Sequence, residues 1–136
     1  METDRCGDNK LKCAVLDTNI LMYIFLKKVD VLSQLRELGF ARLFVPQSVV
    51  SELKRLVVSL TGKEKLAARL ALRLIEEGKL EVVNSEKKGD EALIEISIKY
   101  GCCLVTNDKV LRKRAKSIGI AVGYLREMNR VEILEY

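Results

Sequence analysis

Histidine is absent from the 136 residues, and its absence removes every mechanism that needs an imidazole: Ser-His-Asp triads, Cys-His dyads and His-ligated zinc. The four cysteines, Cys6, Cys13, Cys102 and Cys103, include no C-x-x-C spacing, which argues against a zinc ribbon or a thioredoxin-like motif. They read as reduced thiols; Cys13, Cys102 and Cys103 act as small hydrophobes within apolar runs. Tryptophan is missing, and three Phe and four Tyr are too few for an extended base-stacking platform. The longest apolar run, Ile20 to Leu26, is far short of the ~20 residues that span a bilayer. Met1 to Lys10 is polar and of mixed charge, with no apolar h-region behind it, so the expectation is a cytoplasmic chain with no secretory signal and no membrane association.

What is present is a globular composition, 49% hydrophobic and 32% charged, with enough apolar material for a core. The length suits one domain; residues 13–136 are assigned to it, after a polar extension over 1–12. Lys and Arg exceed Asp and Glu by 24 to 19, a net charge of +5, which fits a polyanionic partner. Lys109, Arg112, Lys113, Arg114 and Lys116 crowd one stretch, and Lys54, Arg55, Lys63, Lys65, Arg69 and Arg73 form a looser group; each is either a solvated helix face or a phosphate-binding one. The abundance of Lys, Arg and Glu fits a thermophile, with melting expected above about 65 °C.

Short continuous apolar runs alternate with helical patterns. Cys13–Leu16, Arg42–Val45, Leu80–Val83, Cys102–Val105, Ile120–Leu125 and Val131–Leu134 read as strands. Helices are expected over Ile20–Leu26, Val29–Leu38, a segment opened by Pro46, Lys63–Glu77, Asp90–Tyr100 and Asn107–Ser117, with Gly39, Gly78, Gly101 and Gly119 as stops. The alternation predicts an α/β fold around a mostly parallel sheet. In such sheets the functional crevice lies beyond the carboxyl ends of the strands.

Asp17 directly follows the first strand, and Asp108 lies just beyond Cys102–Thr106. Asp90 opens the helix before that strand, and Glu52 sits at the margin of the stripe made by Val49, Leu53 and Leu56. Taken singly, Asp90 and Asp108 also suit helix caps, Asp17 a turn, and Glu52 a half-exposed face. Gathered on one rim, four carboxylates would repel unless a cation neutralised them, and an all-oxygen donor set suits Mg²⁺ or Mn²⁺. Such an ion would also remove the need for an imidazole base.

Leu16-Asp17-Thr18-Asn19, Pro46-Gln-Ser-Val-Val-Ser-Glu52-Leu, Gly89-Asp90-Glu-Ala-Leu-Ile and Val105-Thr106-Asn107-Asp108, in this order and spacing, resemble the PIN domain. The likeness runs from Cys13 to about Leu134 and is greatest to archaeal single-domain members, near the rRNA-processing branch and the VapC-type toxins. It implies a three-layer fold with a mostly parallel five-stranded sheet flanked by helices, and a Mg²⁺- or Mn²⁺-dependent endoribonuclease. By motif it makes Asp17, Glu52, Asp90 and Asp108 the catalytic, metal-holding acids, with Thr18, Asn19, Thr106 and Asn107 supporting them; Glu91, adjacent to Asp90, leaves the third acid open. Lys109, Arg112 and Lys113 become RNA-contact candidates. The implied partners are an RNA substrate and an antitoxin or ribosome-assembly factor, and a homodimer is compatible with the apolar Ile20–Leu38 stretch. The competing reading is a non-catalytic RNA-binding or assembly module on the same scaffold. A haloacid-dehalogenase-like phosphatase would need D-x-D where this chain has Asp17-Thr18-Asn19, and a receiver-like phosphoacceptor would need paired acids before the first turn.

Overall fold

The computed structural model describes residues 12–134. All of the polar 1–12 stretch except Lys12, and with it Cys6, lies outside the described residues. The described strands are β1 (Cys13–Leu16), β2 (Arg42–Pro46), β3 (Glu81–Val83), β4 (Cys103–Val105), β5 (Val122–Arg126) and β6 (Arg130–Leu134). The helices are α1 (Thr18–Leu26), α2 (Val31–Glu37), α3 (Gln47–Ser59), α4 (Gly62–Glu76), α5 (Gly89–Tyr100) and α6 (Lys109–Ser117).

The sheet has six strands in the order β3-β2-β1-β4-β5-β6, all parallel except the β5–β6 hairpin. The Val131–Leu134 run is thus a sixth, antiparallel strand added to the five that the family resemblance implied. A parallel strand covered on both faces must be apolar throughout, and all four residues of β1 are buried. Ala14 and Leu16 pack with apolar residues of α1, α2, α3 and α4. Cys13 and Val15 point the other way, to Leu93, Ile94 and Ile96 of α5 and Leu111 and Ala115 of α6. These two cores make the three layers.

Helix α5 ends as the sequence indicates, on Gly101 in the left-handed region (φ 69°), where a Cβ would be strained. Pro46, expected to open a helix, closes β2 and stands at the cap position of α3. Most apolar side chains of Ile20–Leu38, the stretch compatible with a contact between copies, are core: Ile20, Leu21, Val31 and Leu35 are fully buried.

The cysteine expectation is corrected. Cys13 and Cys102 form a disulfide, with their Cα atoms 4.8 Å apart. The register of β1 against β4 pairs Ala14 with Cys103, which brings the preceding residues, Cys13 and Cys102, side by side. Alternation along the strand sends Cys103 to the opposite core. Neither relation is visible without the pairing of strands 89 residues apart.

Candidate functional site

The chain adds β2 and β3 on one side of β1, then returns to lay β4 on the other. The carboxyl ends of β1 and β4 therefore flank the point where the strand order reverses, which is where open α/β sheets form their crevice. A cavity of about 170 Å³ lies there, lined by Asp17, Thr18, Asn19, Ser48, Val49, Glu52, Gly89, Asp90, Leu93 and Asp108. All four sequence-predicted acids line it, and no Lys or Arg does. A larger groove, about 780 Å³, is lined by the disulfide, Phe40, Ile118 and Ile133; it contains none of these acids.

Asp17 caps α1: its Oδ1 accepts the Ile20 N–H at 2.9 Å, and its Oδ2 accepts the Thr106 hydroxyl. Thr106, fully buried at the end of β4, also accepts the Asp108 N–H at 3.1 Å. One hydroxyl therefore ties the two acids together. Asp108 caps α6, its Oδ1 accepting from Val110 (2.9 Å) and Leu111 (3.1 Å). Its Oδ2 has no hydrogen-bond partner among the described residues and remains available to a ligand.

Glu52, one helical turn after Ser48 on α3, is held by the Thr18 hydroxyl, which donates to its Oε1 at 2.7 Å. Arg55 approaches Glu52 at 3.7 Å with both side chains well exposed, a contact of little energetic weight. Of the two sequence readings of Asp90, the helix cap is not realised: the cap position is Lys88, and Asp90 lies in the first turn. That offset frees its carboxylate to face the cavity. Glu91 is turned away and paired with Arg114 of α6 at 2.6 Å.

Electrostatics follow from this crowding. Burial pushes the Asp17 carboxyl up to about 6, against the hydrogen bonds from Thr106 and Ile20, and Asp90 and Asp108 raise it further. Asp90 is raised as well, by burial and then by Asp108, with Arg114 partly opposing. Glu91 is lowered by its hydrogen bonds with Arg114. Asp17 and Asp90, held up chiefly by burial and then by neighbouring carboxylates, share with Glu52 and Asp108 a pocket lined by no cationic side chain, an all-oxygen donor set of the kind that suits a divalent cation. As placed, no three His, Cys, Asp or Glu side chains among the described residues close to ion-holding distance.

The remaining predicted residues divide. Asn19 is an exposed part of the cavity wall. Asn107 faces away: its carbonyl oxygen accepts the Leu125 N–H at 2.7 Å, and its amide donates to the Leu125 carbonyl at 3.2 Å and to Met128 Sδ at 3.5 Å. It binds the tight turn of the T-N-D segment to the β5–β6 hairpin. Lys109 and Lys113 are exposed, but Arg112 is half-buried; its guanidinium lies 4.4 Å from the Tyr124 ring centroid and donates to the Thr106 carbonyl at 3.4 Å. Sequence reasoning missed Ser48, whose only signal is its i−4 spacing from Glu52.

Among the described residues no helix is long and apolar enough to cross a membrane. A family model described as PIN like domain matches residues 14–128. The chain is 56% identical to Ribonuclease VapC9 of Archaeoglobus fulgidus over 131 residues, 96% of each chain. It is 33% identical to Ribonuclease VapC4 of Methanocaldococcus jannaschii, over 88% of this chain and 94% of that one. Its fold matches that of the PIN domain endonuclease Utp24 with a TM-score of 0.75 at 19% identity, covering 93% of this chain and 94% of the other. A family match across most of the chain and a relative sharing more than half its residues lead to one assignment: the chain belongs to the PIN-like domain family.

Proposed function

We propose that this protein is a divalent-metal-dependent endoribonuclease whose site is the four-carboxylate cavity at the ends of β1 and β4. The observation that carries the reading is that Asp17, Glu52, Asp90 and Asp108 line one small pocket with no cationic side chain in it. Two relatives, 56% and 33% identical, bear the name ribonuclease.

In this reading Asp17, Asp90 and Asp108 hold Mg²⁺ or Mn²⁺, with Glu52 as a further ligand or a water-positioning base. A divalent ion held there would supply a nucleophile at neutral pH and offset charge on the scissile phosphate. The chain's own part is to hold the acids in place. Thr106 orients Asp17 and the Asp108 backbone, Thr18 orients Glu52, and the α1 and α6 amides fix one oxygen each of Asp17 and Asp108. Water adds to phosphorus and the bond to the 3′-oxygen breaks, leaving a 5′-phosphate and a 3′-hydroxyl with no part for the 2′-hydroxyl. Lys109 and Lys113, exposed at the start of α6, contact backbone phosphates. The setting is cytoplasmic, as a toxin restrained by an antitoxin or as an RNA-processing nuclease.

The test is cleavage of a labelled structured RNA by the full chain with Mn²⁺, Mg²⁺ or EDTA, beside an Asp17→Asn, Asp108→Asn double variant. Cleavage that needs the metal and is lost in the double variant is the expected result. RNA binding by both proteins with cleavage by neither, under any metal, would overturn the reading.

A further inference from the structure

The β5–β6 hairpin, which Asn107 of the T-N-D segment contacts, breaks two local rules. Its turn closes with the Asn129 N–H donating to the Arg126 carbonyl at 3.0 Å. Both central residues, Glu127 and Met128, hold φ of 54°. That region suits Asn and Gly and is strained for Glu and Met. At the strand ends just outside this turn, Arg126 and Arg130 are direct cross-strand partners, and like charges in that relation repel.

The chain holds the turn in place from two sides. Asn107, between Thr106 and Asp108 in sequence, grips Leu125 through both backbone groups and reaches Met128. From α2, Gln34 accepts the Val131 N–H at 2.8 Å and donates to the Asn129 carbonyl at 3.2 Å. Strain that persists because its surroundings over-determine it is a pointer to function. Asn107, which makes these contacts, immediately precedes Asp108.

The side of the sheet is fixed by pairing. Val122 packs in the α5–α6 core, so Tyr124 and Arg126, at steps of two along β5, share that side. Glu132 and Arg130 are their partners on β6. Arg112 of α6 lies over Tyr124, continuing the line toward the T-N-D segment. Glu132 reaches Arg126 only at 3.6 Å between half-exposed side chains, and Arg130 has no ion-pair partner among the described residues. Two exposed arginines on directly paired backbone positions, incompletely neutralised, suit a polyanion backbone.

We infer that Arg126 and Arg130 form a phosphate clamp on the RNA strand where it passes Asp108, a contact separate from the carboxylate cavity and from the α6 lysines. The clamp rests on the nuclease reading above for the identity of its polyanion. It would act by registering the strand relative to the cavity, so its loss weakens binding and blurs the cleavage position without abolishing hydrolysis.

The experiment measures, with the full-length protein, binding to a labelled single-stranded RNA in EDTA from 50 to 300 mM KCl, and cleavage of the same RNA in Mn²⁺. Wild type is compared with Arg126→Gln/Arg130→Gln and with Lys63→Gln/Lys65→Gln, which removes the same charge from α4 on the other side of the sheet. The clamp predicts about tenfold or greater loss of affinity at low salt and a salt slope shallower by about 1.4, two single-strand phosphates, for the arginine pair alone. Asp17→Asn should bind as wild type does while failing to cut, which keeps the two readings distinguishable. Equal losses in the arginine and lysine pairs, or no loss in the arginine pair while wild type cuts normally, would overturn the clamp and leave the nuclease standing. A wild type that neither binds nor cuts would overturn both. Circular dichroism of each variant establishes that it is folded, and Arg126→Lys/Arg130→Lys, which keeps charge without the planar fork, should recover part of the affinity.

Discussion

The hydroxyl of Thr106 donates to the carboxylate of Asp17 across 89 residues of sequence. It joins the ends of β1 and β4 at the reversal of strand order. Because the same oxygen accepts the Asp108 N–H, its removal strands a buried acceptor and a backbone donor together. Thr106→Val, nearly the same shape, is expected to lower unfolding free energy by about 1–3 kcal/mol, read by denaturant titration, and to reduce cleavage. Thr106→Ser should restore most of both.

The carboxylate site should be destabilising when no cation is bound. In the folded protein Asp17 holds its proton up to about pH 6, whereas unfolded it releases it near the ordinary value of 3.8. Between those values the native state binds more protons, so its stability falls as pH rises. Asp17→Asn lacks this loss and can still cap α1 and meet Thr106. In EDTA at pH 7 the variant should be more stable than wild type by about 1–3 kcal/mol, with the difference closing near pH 4. A wild type more stable than the variant at pH 7 without metal would contradict this account of Asp17.

Relief of the hairpin strain has a measurable sign. Glu127→Asn with Met128→Gly supplies the residues that positive φ favours and should raise unfolding free energy by about 1 kcal/mol. The loss of the Asn107 contact to Met128 Sδ opposes this, so a net fall would mean that the contact outweighs the strain.

The disulfide joins Cys13 and Cys102, 89 residues apart in sequence, and so closes a long loop. Long loops restrict the unfolded chain most, and a typical contribution is about 2–4 kcal/mol. Equilibrium unfolding with and without a strong reductant should differ by that amount. Cys13→Ala/Cys102→Ala should match the reduced wild type and become insensitive to reductant.

The layers were legible because β1, β2 and β4 are short apolar runs that only burial on both faces explains, and because Gly101 and Gly119 mark the ends of α5 and α6. The cavity was legible in outline, since each of Asp17 and Asp108 follows a strand. What sequence left open was pairing. The Cys13–Cys102 bond depends on which strands are neighbours and in what register, and the choice between Asp90 and Glu91 depends on Arg114, which arrives from another helix to take Glu91. Arg112 shows the same limit: its place in a basic run suggested phosphate contact, yet its guanidinium is engaged by Tyr124 and the Thr106 carbonyl.

In the proposed function the four carboxylates act as one metal-dependent site. Its most direct test is a Mn²⁺ titration of the metal-free protein by calorimetry, run beside RNA cleavage at each Mn²⁺ concentration, for wild type, Asp90→Asn and Glu91→Gln. Binding and cleavage should saturate together in wild type, Asp90→Asn should lose at least about tenfold in both, and Glu91→Gln should change neither appreciably. Cleavage that persists in EDTA, or in Asp90→Asn at wild-type rate, would contradict it.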